Sequence, residues 1–253
     1  GGGGGVGAEE VAALKGHDTT GVAVAWNPSR PGSLASGGED GVLCHFDLSK
    51  ARSNPEALST FKGHGGDVTD VSWCPREGNQ FASCGRDKVV KVWDIRERKE
   101  AHIIEKAHEG PINRLSWNPL AQYLLATCSD DKTVALWDMR NLENKLFSFP
   151  HLKPVTTVQW SPTRETILAS GGLDRRVALW DLSRVSAEQT VSSPGPMQYQ
   201  DDSDQPPELR FVHGGHVDAV RDIAFEHSDG WLLASIADNN SLHVWRPSTT
   251  TAE

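Results

Sequence analysis

The sequence lacks any apolar run near the roughly 20 residues that a membrane-spanning helix needs, so no membrane partner is expected. It also lacks an opening charged segment followed by an apolar one, so no secretory signal is predicted. Only four of its 253 residues are cysteine, and no two form a CxxC pair. This pattern favours small buried thiols in a reducing compartment.

Basic residues are scarce as well. The chain has 25 Lys and Arg against 34 Asp and Glu, for a formal net charge of −9. Nucleic-acid binding demands clustered Lys and Arg, so direct binding to nucleic acid is not expected. A basic protein partner is compatible with this charge, and so is ordinary solubility.

A regular internal repeat is the strongest positive feature. A histidine is followed 23 residues later by an acid or its amide and 29 residues later by an aromatic, five times without an insertion. The five sets are His17/Asp40/Phe46, His64/Asp87/Trp93, His108/Asp131/Trp137, His151/Asp174/Trp180 and His216/Asn239/Trp245. One supersecondary unit has therefore been copied along the chain.

Each unit reads as four short strands. The first strand has period-two alternation and ends in an aromatic, usually followed by a proline turn. The second strand resembles Leu-Ala-Ser and leads into a turn rich in Gly and Asp. The third strand ends in the repeat aromatic, and an outer strand comes after it. The pattern predicts an all-β propeller with five four-stranded blades. It is either an arc of a larger propeller or a five-bladed ring, in which Val11–Leu14 could supply the outer strand missing after residue 247.

A hydroxyl residue lies four positions before each repeat acid and completes a predicted structural tetrad. We expect an indole N–H to donate to the hydroxyl, the hydroxyl to the imidazole, and the imidazole to the carboxylate. Five copies indicate a scaffold and not a hydrolase triad, so no catalytic residue, enzyme activity or cofactor is expected. The complete tetrads are His64/Ser83/Asp87/Trp93, His108/Thr127/Asp131/Trp137 and His151/Ser170/Asp174/Trp180.

A metal site is not expected either. His213 and His216 have HxxH spacing, but the sequence shows no further Cys or His at ligand distance.

Gly-His before the first strand and Trp-Asp after the third, as in Trp137-Asp138, are the signature of WD-repeat propellers. The segments 131–142, 172–183 and 206–216 resemble more narrowly the histone-binding WD-repeat family, which includes the retinoblastoma-binding proteins and the small subunit of chromatin assembly factor. The resemblance matches that family's last five repeats. It implies a nuclear, non-catalytic scaffold whose partners are core histones and subunits of chromatin assembly, deacetylase, remodelling or Polycomb complexes.

The repeat spacing breaks once, between His151 and His216, where the interval is 65 residues. The extra segment, 183–209, carries five acids and one arginine and is called the acidic insert below. In the resembling family the matching loop forms one wall of a groove for a core-histone helix, so the resemblance implies that histone binding uses Asp201, Asp202, Asp204, Pro206, Pro207, Glu208 and Leu209. A solvated spacer is the alternative.

Two other functions stay open. Asp94-Ile95-Arg96 and Asp138-Met139-Arg140 follow repeat tryptophans and resemble the box by which propellers bind the adaptor of a cullin–RING ubiquitin ligase; these arginines could equally be solvated turn residues. The second open function is that of a generic protein-interaction scaffold that has lost histone binding.

The predicted organisation is a glycine-rich tail over 1–10, a propeller domain over 11–247 and a tail over 248–253. The repeats lie near 15–49, 62–96, 106–140, 149–183 and 214–247.

Overall fold

The computed structural model of the protein describes residues 13–51, 56–185 and 206–248. Nineteen strands form five antiparallel sheets in these ranges, and each sheet corresponds to one repeat. Asp201, Asp202 and Asp204 lie outside the described residues, as do residues 1–12 and 249–253.

The sheets are numbered as blades in chain order. Blade 1 contains β1 (Gly21–Trp26), β2 (Ser33–Gly38), β3 (Val42–Asp47) and β4 (Ser59–Lys62), with the one-turn helix α1 (Leu48–Ala51) after β3. Blade 2 contains β5 (Val68–Trp73), β6 (Gln80–Gly85), β7 (Val90–Asp94) and β8 (Lys99–Ile104). Blade 3 contains β9 (Ile112–Trp117), β10 (Leu124–Ser129), β11 (Thr133–Asp138) and β12 (Phe147–Pro150).

Blade 4 contains β13 (Val155–Trp160), β14 (Ile167–Gly172), β15 (Val177–Asp181) and β16 (Leu209–His213), with a 3₁₀ turn over Leu182–Arg184 after β15. Blade 5 contains β17 (Val220–Phe225), β18 (Leu233–Ala237) and β19 (Leu242–Trp245). The all-β propeller prediction is confirmed. The described part of blade 5 has three strands, however, so the expectation of five four-stranded blades holds only for the first four sheets.

The hydrophobic core lies between neighbouring blades. One cluster joins Val90 and Val92 of blade 2 to Trp117, Leu125 and Trp137 of blade 3, and similar clusters fill the other junctions. Successive strand residues point to opposite faces of a sheet, so each inner blade has apolar side chains on both faces and packs on both neighbours. The four cysteines are buried and unpaired, as predicted.

The two end blades show that the described residues form an open arc and not a closed ring. Trp26 on the outer face of blade 1 is 60% exposed, whereas its counterpart Trp73 in blade 2 is 3% exposed. At the other end Leu242 and Val244 are 63% and 65% exposed, although the matching residues of β7, β11 and β15 are buried. A five-bladed ring would cover both faces.

The structure does not support the prediction that Val11–Leu14 supplies an outer strand for blade 5. Lys15 forms a parallel bridge with Glu56, so the chain just after Leu14 lies on blade 1 and not beside β19. Val11 and Ala12 lie outside the described residues. No helix in the described ranges has both the length and the apolar character to cross a membrane.

Candidate partner-binding site

Three repeat tetrads have the hydrogen-bonding geometry of a structural network. In blade 3 the Trp137 indole N–H donates to Thr127 Oγ1 at 3.0 Å, and Thr127 Oγ1 lies 2.8 Å from His108 Nε2. His108 Nδ1 lies 2.8 Å from Asp131 Oδ2, and since a carboxylate only accepts, the imidazole donates here. Blades 2 and 4 repeat this arrangement with His64, Ser83, Asp87 and Trp93, and with His151, Ser170, Asp174 and Trp180.

The tetrad carboxylates have lowered pKa values. Burial alone would raise the pKa of Asp131, but the hydrogen bond and charge of His108 outweigh it and hold the pKa well below its usual range. Burial is opposed in the same way at Asp87 by His64 and at Asp174 by His151, and both pKa values are lowered. The imidazoles of His64, His108 and His151 are almost fully buried, so these groups form a structural network within each blade.

The end blades depart from the tetrad. In blade 1 the His17 Nδ1 to Asp40 Oδ1 distance is 3.6 Å, and Phe46 supplies no N–H donor. In blade 5 Asn239 replaces the acid, and its side-chain oxygen accepts from the Ser241 hydroxyl at 2.7 Å. The fifth imidazole therefore has no carboxylate partner among the described residues.

The stem of the acidic insert is built on blade 4. The Asp181 backbone N–H donates to Glu208 O at 2.8 Å, and Leu209 N–H donates to Pro206 O at 2.9 Å in a turn that contains Pro207. Leu209 is buried in the cluster that contains Trp180. Of the predicted histone-site residues, Pro206, Pro207, Glu208 and Leu209 are thus placed together where the insert returns to the sheet.

Glu208 has an unusual environment. Its residue is buried, and its Oε2 atom has no hydrogen-bond partner among the described residues. The guanidinium groups of Arg210 and Arg184 pair with Asp181: Arg210 Nη1 lies 3.2 Å and Arg184 Nε 3.7 Å from Asp181 Oδ2. A buried carboxylate oxygen without a partner is costly, so this one favours a cationic group that the described residues do not supply.

The aromatic side chain of Trp231, which the repeat pattern leaves unexplained, lies beside this stem. The guanidinium carbons of Arg164 and Arg210 each lie 4.7 Å from its ring centroid. Cation–π contacts of this kind hold the planar guanidinium groups in place. Trp231 therefore links the loop of blade 5 to the foot of the insert.

In the two segments proposed to bind a ligase adaptor, 93–96 and 137–140, the arginine forms an ion pair with the aspartate of the same segment. Arg96 Nη2 lies 2.6 Å from Asp94 Oδ2, and Arg140 Nη2 lies 2.6 Å from Asp138 Oδ2, while both arginine side chains remain largely exposed. The hydrogen bond from Arg96 lowers the pKa of Asp94 to about 2. In an antiparallel blade the connections after the first and third strands lie at one end, so these arginines share an edge of the arc with the two described ends of the acidic insert.

Two further groups of residues are not indicated by the sequence pattern, because their members come from strands distant in the chain. One lines the inner edge of the arc: Arg114 Nη1 pairs with Asp222 Oδ1 at 3.0 Å, and Asp70 Oδ2 accepts from Leu115 N–H at 3.0 Å. Burial raises the pKa of Asp70 to about 6.

The other group contains three histidines. His243 lies beside His213 and His216, so the sequence-based premise that the HxxH pair has no further ligand nearby is wrong. Burial and the neighbouring His243 lower the pKa values of His213 and His216. The period-two alternation of β19 places His243 on the same face of the sheet as Trp245. It does not indicate that His213 and His216 lie next to that face.

Five propeller blades with Gly-His and Trp-Asp repeats define a WD-repeat protein. The chain matches the family described as "WD domain, G-beta repeat" at residues 8–47, 55–94, 99–138, 143–181 and 207–246. These matches cover more than half of the chain, and the protein belongs to this family.

Within the family, the chain is similar to proteins named histone acetyltransferase type B subunit 2. The one from Mycosarcoma maydis is 47% identical over 240 residues, which are 93% of this chain and 54% of the relative. The one from Schizosaccharomyces pombe is 42% identical over 246 residues, 94% of this chain and 55% of the relative. Histone-binding protein MSI1 of Saccharomyces cerevisiae is 46% identical over 41 residues, 16% of this chain and 10% of the relative. The chain spans about half the length of the first two relatives.

Proposed function

We propose that this protein is a nuclear, non-catalytic scaffold subunit of chromatin complexes and that it binds a core histone. The observation that carries the proposal is the similarity along 93% of the chain to a relative named as a histone acetyltransferase subunit, at 47% identity. The name of a second relative, histone-binding protein MSI1, supports the same partner class. Chromatin-complex subunits are the other proposed partners.

The acidic insert is the proposed binding site. Its aspartates, Asp201, Asp202 and Asp204, can pair with Arg and Lys of a basic helix, because charge-assisted bonds from guanidinium to carboxylate are short and strong. Glu208 adds a buried carboxylate oxygen without a partner in the described residues. Pro206 and Pro207 stiffen the adjoining turn, and an apolar face of the incoming helix would pack there.

The insert is tested by charge reversal. A variant with Asp201→Lys, Asp202→Lys and Asp204→Lys is titrated by calorimetry with synthetic peptides covering the basic helices of the four core histones. Exposed ion pairs contribute about 0.2–1 kcal/mol each, and reversal adds repulsion. We therefore expect at least one peptide to bind the parent protein, and its affinity for the variant to fall by about tenfold or more.

A matched control changes the same number of charges at the opposite edge of the arc. Glu39, Glu105 and Glu109 are exposed there, and their replacement by lysine should leave peptide affinity within about twofold, since charges beyond a Debye length are screened. Equal losses in the two triple variants would indicate a general charge effect and remove the insert from the site. Absence of binding to every peptide would contradict the histone partner itself.

The ligase-adaptor hypothesis stays a prediction with its own test. Arg96 and Arg140 are exposed, but each is already held by the aspartate of its own segment. If they bind an adaptor, co-purification of that adaptor is lost when both are replaced by alanine. If co-purification persists, they are turn residues only.

A further inference from the structure

Three histidine side chains meet at the junction of blades 4 and 5. His213 ends the outer strand β16, His216 follows three residues later, and His243 lies within β19. One nitrogen from each ring can be chosen so that all three lie within 4.8 Å of one another. The closest pair is His213 Nε2 and His243 Nδ1, at 3.0 Å.

Aromatic rings and a hydroxyl group contact the three imidazoles. His213 stacks on Trp245 with ring centroids 4.6 Å apart, and His216 stacks on His243 at 4.1 Å. His216 Nε2 lies 2.7 Å from Ser235 Oγ, which also accepts from the Trp245 indole at 3.1 Å. A hydrogen bond on one ring nitrogen orients an imidazole so that the other nitrogen faces a ligand.

His216 differs from its counterparts in blades 2 to 4 at that other nitrogen. Their Nδ1 atoms lie 2.8–3.0 Å from an aspartate oxygen. Blade 5 has Asn239 instead, and the Ser241 hydroxyl lies 3.2 Å from His216 Nδ1. Because no carboxylate of the described residues contacts it, this nitrogen can bind a cation that displaces its proton.

We propose that His213, His216 and His243 form a binding site for a divalent transition-metal ion of the zinc type. Zinc-bound imidazole nitrogens lie about 2.0–2.1 Å from the ion, so tetrahedral ligands are roughly 3.3–3.5 Å apart. The 3.0 Å pair is close to that separation. An imidazole binds a metal in its own ring plane, so the His216 ring, which lies parallel to His243, must rotate toward the pair when the ion binds. An all-imidazole set suits Zn²⁺, Ni²⁺ or Cu²⁺, whereas Mg²⁺ and Ca²⁺ prefer oxygen ligands.

The ion would connect two blades. His213 belongs to blade 4 and His243 to the last strand of blade 5, whose sheet has three strands in the described residues. His213 and His243 are only partly buried, so solvent can reach the ion and provide a fourth ligand. Binding to the folded state alone raises stability by mass action, so the ion would stabilise the terminal blade.

The test is a calorimetric titration of the tag-free, chelator-treated full chain with zinc chloride, repeated with nickel and magnesium chloride. We expect one Zn²⁺ per chain, an upward shift of the melting temperature and no binding of Mg²⁺. His243→Gln and His213→Gln should each weaken zinc binding by about tenfold or more, since even loss of an outer-shell partner costs that much. The matched control His227→Gln, at an exposed histidine of blade 5, should bind as the parent does.

A second measurement needs no variant. In the unmodified chain, zinc should shift the side-chain NMR signals of His213, His216 and His243 together at one equivalent. Equal zinc affinity in His243→Gln and His227→Gln would overturn the site. So would a titration in which other histidines respond first, or in which no saturable binding occurs.

Discussion

Replacing His108 with alanine should lower the thermal stability of the whole arc. The ring is fully buried and connects Thr127 to Asp131 through two contacts of 2.8 Å. Each lost hydrogen bond is worth about 1 kcal/mol net, and a buried partner left unsatisfied costs about 1–3 kcal/mol. The cavity left by the ring adds to this cost.

Part of the loss is recovered locally. Asp131 still accepts from Glu109 N–H and Thr133 N–H, and Thr127 still accepts from the Trp137 indole. We therefore expect a loss of about 2–4 kcal/mol in the free energy of unfolding. For a domain of this size that loss corresponds to a fall in melting temperature of roughly 5–15 °C.

The assay is thermal and urea unfolding followed by circular dichroism, with His102→Ala as the control. His102 is exposed on β8, and its replacement should change stability by less than about 0.5 kcal/mol. Thr127→Val, alone and combined with His108→Ala, tests the network, since residues that share hydrogen bonds show a coupling of about 1 kcal/mol. A melting temperature of the His108 variant within about 1 °C of the parent would refute the reasoning.

Three further predictions concern pH, backbone contact and the exposed arginines. The folded-state pKa of Asp131 is lowered, so the stability that this carboxylate contributes is complete above the unfolded pKa near 4 and is lost as pH falls below it. Asp131→Asn should therefore reduce the slope of the unfolding free energy against pH between 5 and 3 by up to about 1.4 kcal/mol per pH unit. An unchanged slope would contradict this assignment. Gly172→Ala should destabilise the chain by about 1–3 kcal/mol in urea unfolding, because its Cβ would lie 2.5 Å from Pro154 O; a neutral effect would show that the turn can move. Arg96→Ala should leave the melting temperature nearly unchanged, since the guanidinium is exposed, and a clear fall would indicate a structural role.

Much of the fold could be predicted because its information is local and repeated. The same 29-residue interval from histidine to aromatic, as from His64 to Trp93, recurs in all five repeats. Each copy therefore supports the same order of strands and turns. The last sheet was less predictable, because a missing outer strand depends on which distant segment comes near β19.

The candidate site was only partly predictable for the same reason. The break in spacing marked the acidic insert, and its returning residues pack on blade 4. That Glu208 Oε2 lacks a hydrogen-bond partner among the described residues could not be inferred, since it depends on how the end of the insert packs on blade 4. The sequence spacing of His243 from His216 likewise gives no sign that their rings stack.

Composition and periodicity by themselves determined the number of blades, the all-β class, the tetrads and the location of the insert, because each depends on residues within one repeat. Tertiary structure alone decided that the arc is open, that Lys15 lies on blade 1 and that three histidines converge. Those outcomes depend on contacts between segments that are distant in the chain, where the separation in space is unrelated to the separation along the sequence.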